Sequence, residues 1–285
     1  MQDRMSTRLI CSSERIPSII GCMESRDIGI CIYCGSMDNL TREHIIPKSF
    51  GGTRTLLRAS CDKCARKTSR FETFLLKRPP SGHTGMLYDL RVIAGMPSRK
   101  GSTKDVKLRQ ISENIETNEL IEELVDPDTY VGSVMFPIFP EPDCITGAVH
   151  PRGLDAEGLE WMQYVSNAEK AKKGYRYGTT FRSREGDFPR LLAKIAYGLA
   201  VFELGYERVR HSPLRAVILD NSPDQAKWIG CDPTNTMTAD GKSVWAAEIG
   251  SYKGRLSAKI KFLPEFADET PEYIVVVDPG SVYKY

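Results

Sequence analysis

Two cysteine pairs constrain this chain more than any other feature: Cys31-x2-Cys34 and Cys61-x2-Cys64, with 26 residues between them. Two residues between thiolates let one turn set both sulfurs about 3.7 Å apart, adjacent vertices of a tetrahedron with Zn–S bonds of roughly 2.3 Å. The stretch they bracket is mostly polar, and about 35 such residues bury too little apolar surface to hold themselves folded. A structural Zn2+ on Cys31, Cys34, Cys61 and Cys64 solves that folding problem and is the expectation here. A redox role has less support, because no thioredoxin-like βαβ pattern surrounds either pair. Cys11, Cys22, Cys144 and Cys231 are scattered singly and read as buried or incidental thiols.

With 285 residues, 41% of them apolar, the chain can bury a sizeable core in one or two domains. No run approaches the roughly 18 apolar residues of a membrane span, and the first 28 residues lack a signal-peptide pattern. A cytoplasmic protein without membrane contact is therefore expected. The net charge is only +2, but its distribution is uneven. Residues 53–109 hold fourteen Lys and Arg against four acids, whereas residues 111–128 hold seven acids and no base. A basic block of this kind suits a phosphate-bearing partner. An ordinary solvated basic face explains it equally well.

The pattern along the chain predicts an α+β fold in three parts. Residues 1–28 are polar and read as a flexible tail, 29–80 as a small zinc-bound module, and 81–285 as an α+β extension. Within the module, GICIYCG and LTREHIIP read as short strands, and Gly51-Gly52 as a turn. Ser60 is the predicted N-cap of a helix running from Cys61 through ARKTSRFETFLLK to Pro79-Pro80. Further on, residues 85–96 suggest a short helix and 97–104 a basic linker. DFPRLLAKIAYGLAVFELG (187–205) has the strongest helical periodicity, with Asp187 as cap and Gly205 as stop, and reads purely as core. LSAKIKFL (256–263) and YIVVVD (273–278) read as strands. KAKKGYRYGTTFRSR (170–184) mixes basic and aromatic residues, which suits either a stacking surface or a loop packed on the long helix.

CIYCG, EHIIPKSFGG and SCDKCARKTSRFE together resemble the HNH endonuclease family, in its zinc-stapled four-cysteine form of the ββα-metal (treble-clef-like) fold, over residues 29–75. The resemblance implies hydrolysis of DNA phosphodiester bonds with a divalent ion, Mg2+ or Mn2+. By position, His44 would be the general base and Glu43 an ion ligand, where Asp is more usual. The chain departs from the family pattern at Leu56 and Ala65, which stand where the family has ligating or orienting side chains. Thr68 and Glu72 lie one and two turns beyond Ala65 and can complete the ion shell in their place. Arg54, Arg58, Lys63, Arg66, Lys67 and Arg70 surround the site as candidate phosphate contacts. Two other readings stay open: a non-catalytic zinc module that binds nucleic acid, and a protein-interaction scaffold with a zinc knuckle.

Overall fold

A computed structural model describes residues 8–11, 24–76, 84–93, 108–126, 129–150, 153–165, 173–178, 181–182, 184–220, 222, 224–237, 244–266, 269–278 and 280. Strands β1 (Arg8–Cys11) and β2 (Ser25–Asp27) lead into β3 (Leu40–His44), a 3-10 turn at Lys48–Phe50, β4 (Thr55–Cys61) and helix α1 (Asp62–Leu76). Next come β5 (Thr84–Gly85), α2 (Tyr88–Ile93), β6 (Leu108–Asn114), β7 (Leu120–Val125), β8 (Val131–Ile138) and α3 (Asp143–Thr146). Strands β9 (Gly158–Val165), β10 (Tyr175–Gly178) and β11 (Phe181–Arg182) precede the long helix α4 (Asp187–Leu204). The chain ends with α5 (Tyr206–Val209), α6 (Leu214–Asp220), α7 (Gln225–Trp228), β12 (Ile229–Cys231), β13 (Trp245–Tyr252), β14 (Arg255–Phe262) and β15 (Glu272–Asp278).

The segment that carries the two cysteine pairs contributes the sheet β2-β4-β3, followed directly by α1. The central strand β4 pairs with β3 antiparallel and with β2 parallel. Two short strands, β1 and β2, fall within residues 1–28. Three other sheets have the orders β1-β9-β8, β10-β6-β7 and β12-β15-β14-β13, and β5 pairs with β11.

Helix α4 is the axis of the molecule. Apart from Arg190, every residue from Asp187 to Val201 is buried. A helix apolar around nearly its whole circumference must be covered on all sides. Here α1 and α6 cover one side, and the sheet β12-β15-β14-β13 covers another. Between α4 and that sheet, the rings of Phe136, Phe139, Phe188, Phe262 and Tyr273 pack with centroids 5.3 to 6.3 Å apart. One continuous hydrophobic core runs from Cys31 and Phe71 of the module through α4 to Val275 of the final strand.

Several local expectations meet their physical limits here. Ser60 does not cap α1, because β4 continues through Cys61 and the helix begins at Asp62. The N-cap of α4 is Gly186, in the left-handed region at φ +78°, with Asp187 already in the first turn. Gly205 does end α4, its N–H bonding the Val201 carbonyl. The described part of residues 170–184 forms β10, paired with β6, and β11. The expected linker at 97–104 lies outside the described residues.

Gly198 marks where α4 meets the module. A methyl group added there would lie 3.5 Å from Ile45 Cγ2 and 3.6 Å from its Cα, which is ordinary contact with no room beyond. We expect Gly198→Ala to be tolerated or to stabilise by about 0.5–1 kcal/mol through helix propensity. Gly198→Leu should cost about 1–3 kcal/mol by overpacking. Urea melts of both variants check this, and equal stability of the two would contradict the close approach.

Candidate metal centre and carboxylate fork

The four thiols of Cys31, Cys34, Cys61 and Cys64 converge, with all sulfurs within 4.8 Å of one another. Each pair sits on its own device. Cys31 and Cys34 lie on a tight knuckle closed by Gly35, whose φ of +80° lets its N–H reach the Cys31 carbonyl at 2.8 Å. Cys61 ends β4 and Cys64 lies in the first turn of α1, so the strand-to-helix junction sets their spacing. Across the pairs, Cys34 Sγ lies 3.6 Å from Cys61 Sγ, close to a tetrahedral edge for zinc. Burial alone would raise the Cys61 thiol, but the Cys64 backbone N–H and the neighbouring thiols bring it down to about 7. Burial pushes the Cys31 and Cys64 thiols up, so it is the convergence of the four sulfurs that fits a structural zinc ion.

From this knuckle, β3 carries Glu43 and His44 to the end of the sheet. A register irregularity between Thr41 and Glu43 precedes them. As neighbours on a strand they face opposite ways. Glu43 is buried, and His44 is half-buried. Pro47 and the 3-10 turn at Lys48–Phe50 then redirect the chain. Gly52 passes so close to the Ile46 carbonyl that a Cβ would lie 2.3 Å from its oxygen. The Gly-Gly pair thus allows the loop to fold back on β3.

Glu72 comes from α1, one turn beyond the buried Thr68. Its carboxylate and that of Glu43 converge from the two elements on a third residue, Lys194 of α4. Lys194 Nζ lies 2.8 Å from Glu43 Oε1 and 2.7 Å from Glu72 Oε1. It also donates a hydrogen bond of 2.6 Å to the His44 backbone carbonyl. Its side chain is only 2% exposed. Burial by itself would depress the ammonium, but the two carboxylates raise it above the usual lysine range. Glu43 moves up, because burial and the nearby Glu72 charge outweigh the attraction of Lys194. Tyr33 lies near enough for both carboxylates to add to the upward push that burial gives its phenol.

His44 sits outside this fork. Burial lowers its pKa from the ordinary 6.5, and the positive charges of Lys194, Lys48 and Arg42 lower it further. Its Nδ1 is shielded and has no hydrogen-bond partner among the described residues. The imidazole is therefore neutral near pH 7 and is not bonded at Nδ1 to either nearby glutamate. Arg42 and Lys48 are both exposed.

The other anticipated residues divide into groups. Thr68 is buried and donates to the Ala65 carbonyl within α1. Leu56 is fully buried in the core, whereas Ala65 is half-buried. Arg54 pairs with Glu24 and Glu203, Arg58 with Asp27, and Lys67 with Asp220. Lys63, Arg66 and Arg70 are exposed along α1 and make no ion pair among the described residues. Sequence reasoning did not reach Lys194, Arg42 or Lys48. Lys194 had one local signal: it is the only charged residue between Arg190 and Glu203 in a helix otherwise apolar over that span.

The divalent ion implied by the family does not fit where Glu43 and Glu72 converge. The Lys194 ammonium stands between their oxygens as an ion pair with each, at 2.8 and 2.7 Å, and so occupies the point where a divalent ion would have to sit.

Loss of the zinc clamp should unfold the module, because Cys31, Cys61 and Cys64 are buried and the four thiols join the knuckle to the junction of β4 and α1. Cys64→Ser is expected to lower zinc content below one ion per chain and to lower the melting temperature. Zinc analysis with calorimetry checks this, and a full complement of zinc with an unchanged melt would contradict the clamp.

Residues 31–78 match the family model described as HNH endonuclease. No curated protein and no solved structure matches the chain. Among the described residues, no helix is long and apolar enough to cross a membrane. Over residues 31–78 the chain is therefore similar to the HNH endonuclease family, and this stretch brings together four cysteines that could hold a metal ion within a larger α+β protein.

Proposed function

We propose that the protein hydrolyses phosphodiester bonds of nucleic acid, DNA in the first instance, with His44 taking the proton from the attacking water. The observation that carries this reading is the placement of His44: half-buried at the end of β3, with burial and the surrounding cations holding its pKa below the ordinary 6.5. A base for this reaction must be unprotonated at working pH and free to accept a proton. Arg42 and Lys48, exposed beside it, supply the positive charge that a phosphate needs at such a site. Lys63, Arg66 and Arg70 extend that charge along α1, so a backbone can be gripped without reading bases.

A second reading is favoured by specific residues. Leu56 and Ala65 offer no ligating atoms, and Lys194 fills the fork between the carboxylates. A module so arranged can bind nucleic acid through its basic face without cleaving it. Plasmid nicking by wild type and His44→Ala separates the two. The hydrolytic reading expects loss of cleavage by about 100-fold or more in the variant, the usual scale for a general base, with DNA retention unchanged. Equal nicking by both proteins, or none by either beside salt-sensitive retention, would end it.

The lowered pKa of His44 also fixes the direction of a pH profile. Protonation removes the base, so cleavage should fall on acidification with a midpoint below 6.5, the ordinary histidine value. Lys48→Gln takes away one charge that opposes protonation and should move that midpoint upward. Rates of cleavage from pH 5 to 8 read both values; a wild-type midpoint above 6.5 contradicts the assignment.

A further inference from the structure

We propose that the Lys194 ammonium is the resident cation of this module: it holds Glu43, Glu72 and the His44 carbonyl together in the place a divalent ion would take. Two carboxylate oxygens and one carbonyl oxygen, all within 2.8 Å of one point and contributed by β3 and α1, are the donor types of a hard-cation site. Lys194 reaches that point from α4, about 150 residues away in sequence. The Lys194 side chain is 2% exposed, and the Glu72 carboxylate beside it is 22% exposed. A divalent ion could take this point only if the ammonium left both carboxylates, and moving an unpaired charge among the buried side chains of α4 is strongly unfavourable. The raised ammonium pKa keeps Lys194 charged through the neutral range, so the position does not empty on mild change of pH.

Lys194 is too buried to touch a substrate phosphate and is therefore a positioning residue. It fixes three things at once: the carboxylate on β3, the carboxylate on α1, and the backbone at His44. Because its charge also bears on the imidazole, it helps to keep the proposed base neutral. This assignment concerns the same site as the proposed hydrolysis, but it is tested by cation binding, which is independent of cleavage.

The measurement is Mn2+ uptake by the zinc-loaded full chain, with free Mn2+ read by electron paramagnetic resonance. Wild type and Glu43→Gln should take up the same Mn2+, because no ion sits on Glu43 in either. Lys194→Ala should gain one bound Mn2+ per chain, and adding Glu43→Gln to it should remove that ion again. One Mn2+ in wild type that Glu43→Gln abolishes overturns the proposal. So does a folded Lys194→Ala protein that gains none. Should Lys194→Ala fail to fold, the comparison of wild type with Glu43→Gln still decides. A separate readout concerns positioning: Lys194→Ala should raise the His44 pKa, followed by NMR titration of the imidazole, and an unchanged value counts against the link.

Discussion

A buried ammonium, that of Lys194, ties the four-cysteine segment to the long helix α4. Lys194 links β3, α1 and α4 at one point, and the elements that meet there also form the continuous core. Removing one partner of a buried ionic group of this kind typically costs about 3–5 kcal/mol, because the remaining charges are left without compensation. Replacing the whole cluster by apolar groups would be far less costly. Its presence therefore points to specificity of arrangement rather than to stability alone. Other contacts reinforce the same junction: Tyr197 donates to the Ile32 carbonyl at 2.8 Å, Arg215 to the Tyr33 carbonyl at 2.7 Å, and Trp245 to the Phe50 carbonyl at 3.1 Å. Residues of α4, α6 and β13 thus grip the cysteine knuckle and the 3-10 turn by their backbone carbonyls.

The four-cysteine cluster and the lysine divide the work between them. The four sulfurs fix the outer corner of the module, where the knuckle has little apolar surface of its own. The ammonium fixes the inner corner, where β3 and α1 approach α4. His44 hangs between these anchors, on the last residue of β3. Its protonation is governed by burial and by three surrounding cations. Position and charge state of the imidazole are thereby set by groups from the strand, the following turn and a distant helix.

The convergence of the four cysteines was legible in the sequence because its geometry is local: two residues between thiols impose a turn wherever they occur. Helix α4 was legible through its three- and four-residue apolar spacing, and β14 and β15 through their alternation and β-branched content. The cap at Ser60 was not, because β4 continues through Cys61 to bring it to the other three thiols, which overrides a local capping preference. Least legible was Lys194. Its partners are Glu43 and Glu72, and nothing in local periodicity encodes a pairing across more than a hundred residues. A lone lysine in an otherwise apolar helix was the available sign, since such a charge has to find a partner or stay neutral. The basic face was only partly legible: charge counting found Lys63, Arg66 and Arg70, but it also counted Arg54, Arg58 and Lys67, whose charges are paired with acids from elsewhere in the chain.

The most direct test of this account is a crystal structure of the zinc-loaded protein grown in Mn2+ and recorded at the manganese absorption edge. The account predicts density for the Lys194 ammonium between the Glu43 and Glu72 carboxylates, with anomalous signal from the four-sulfur centre alone in this region. A manganese peak bridging the two carboxylates, with the lysine turned away, would contradict it.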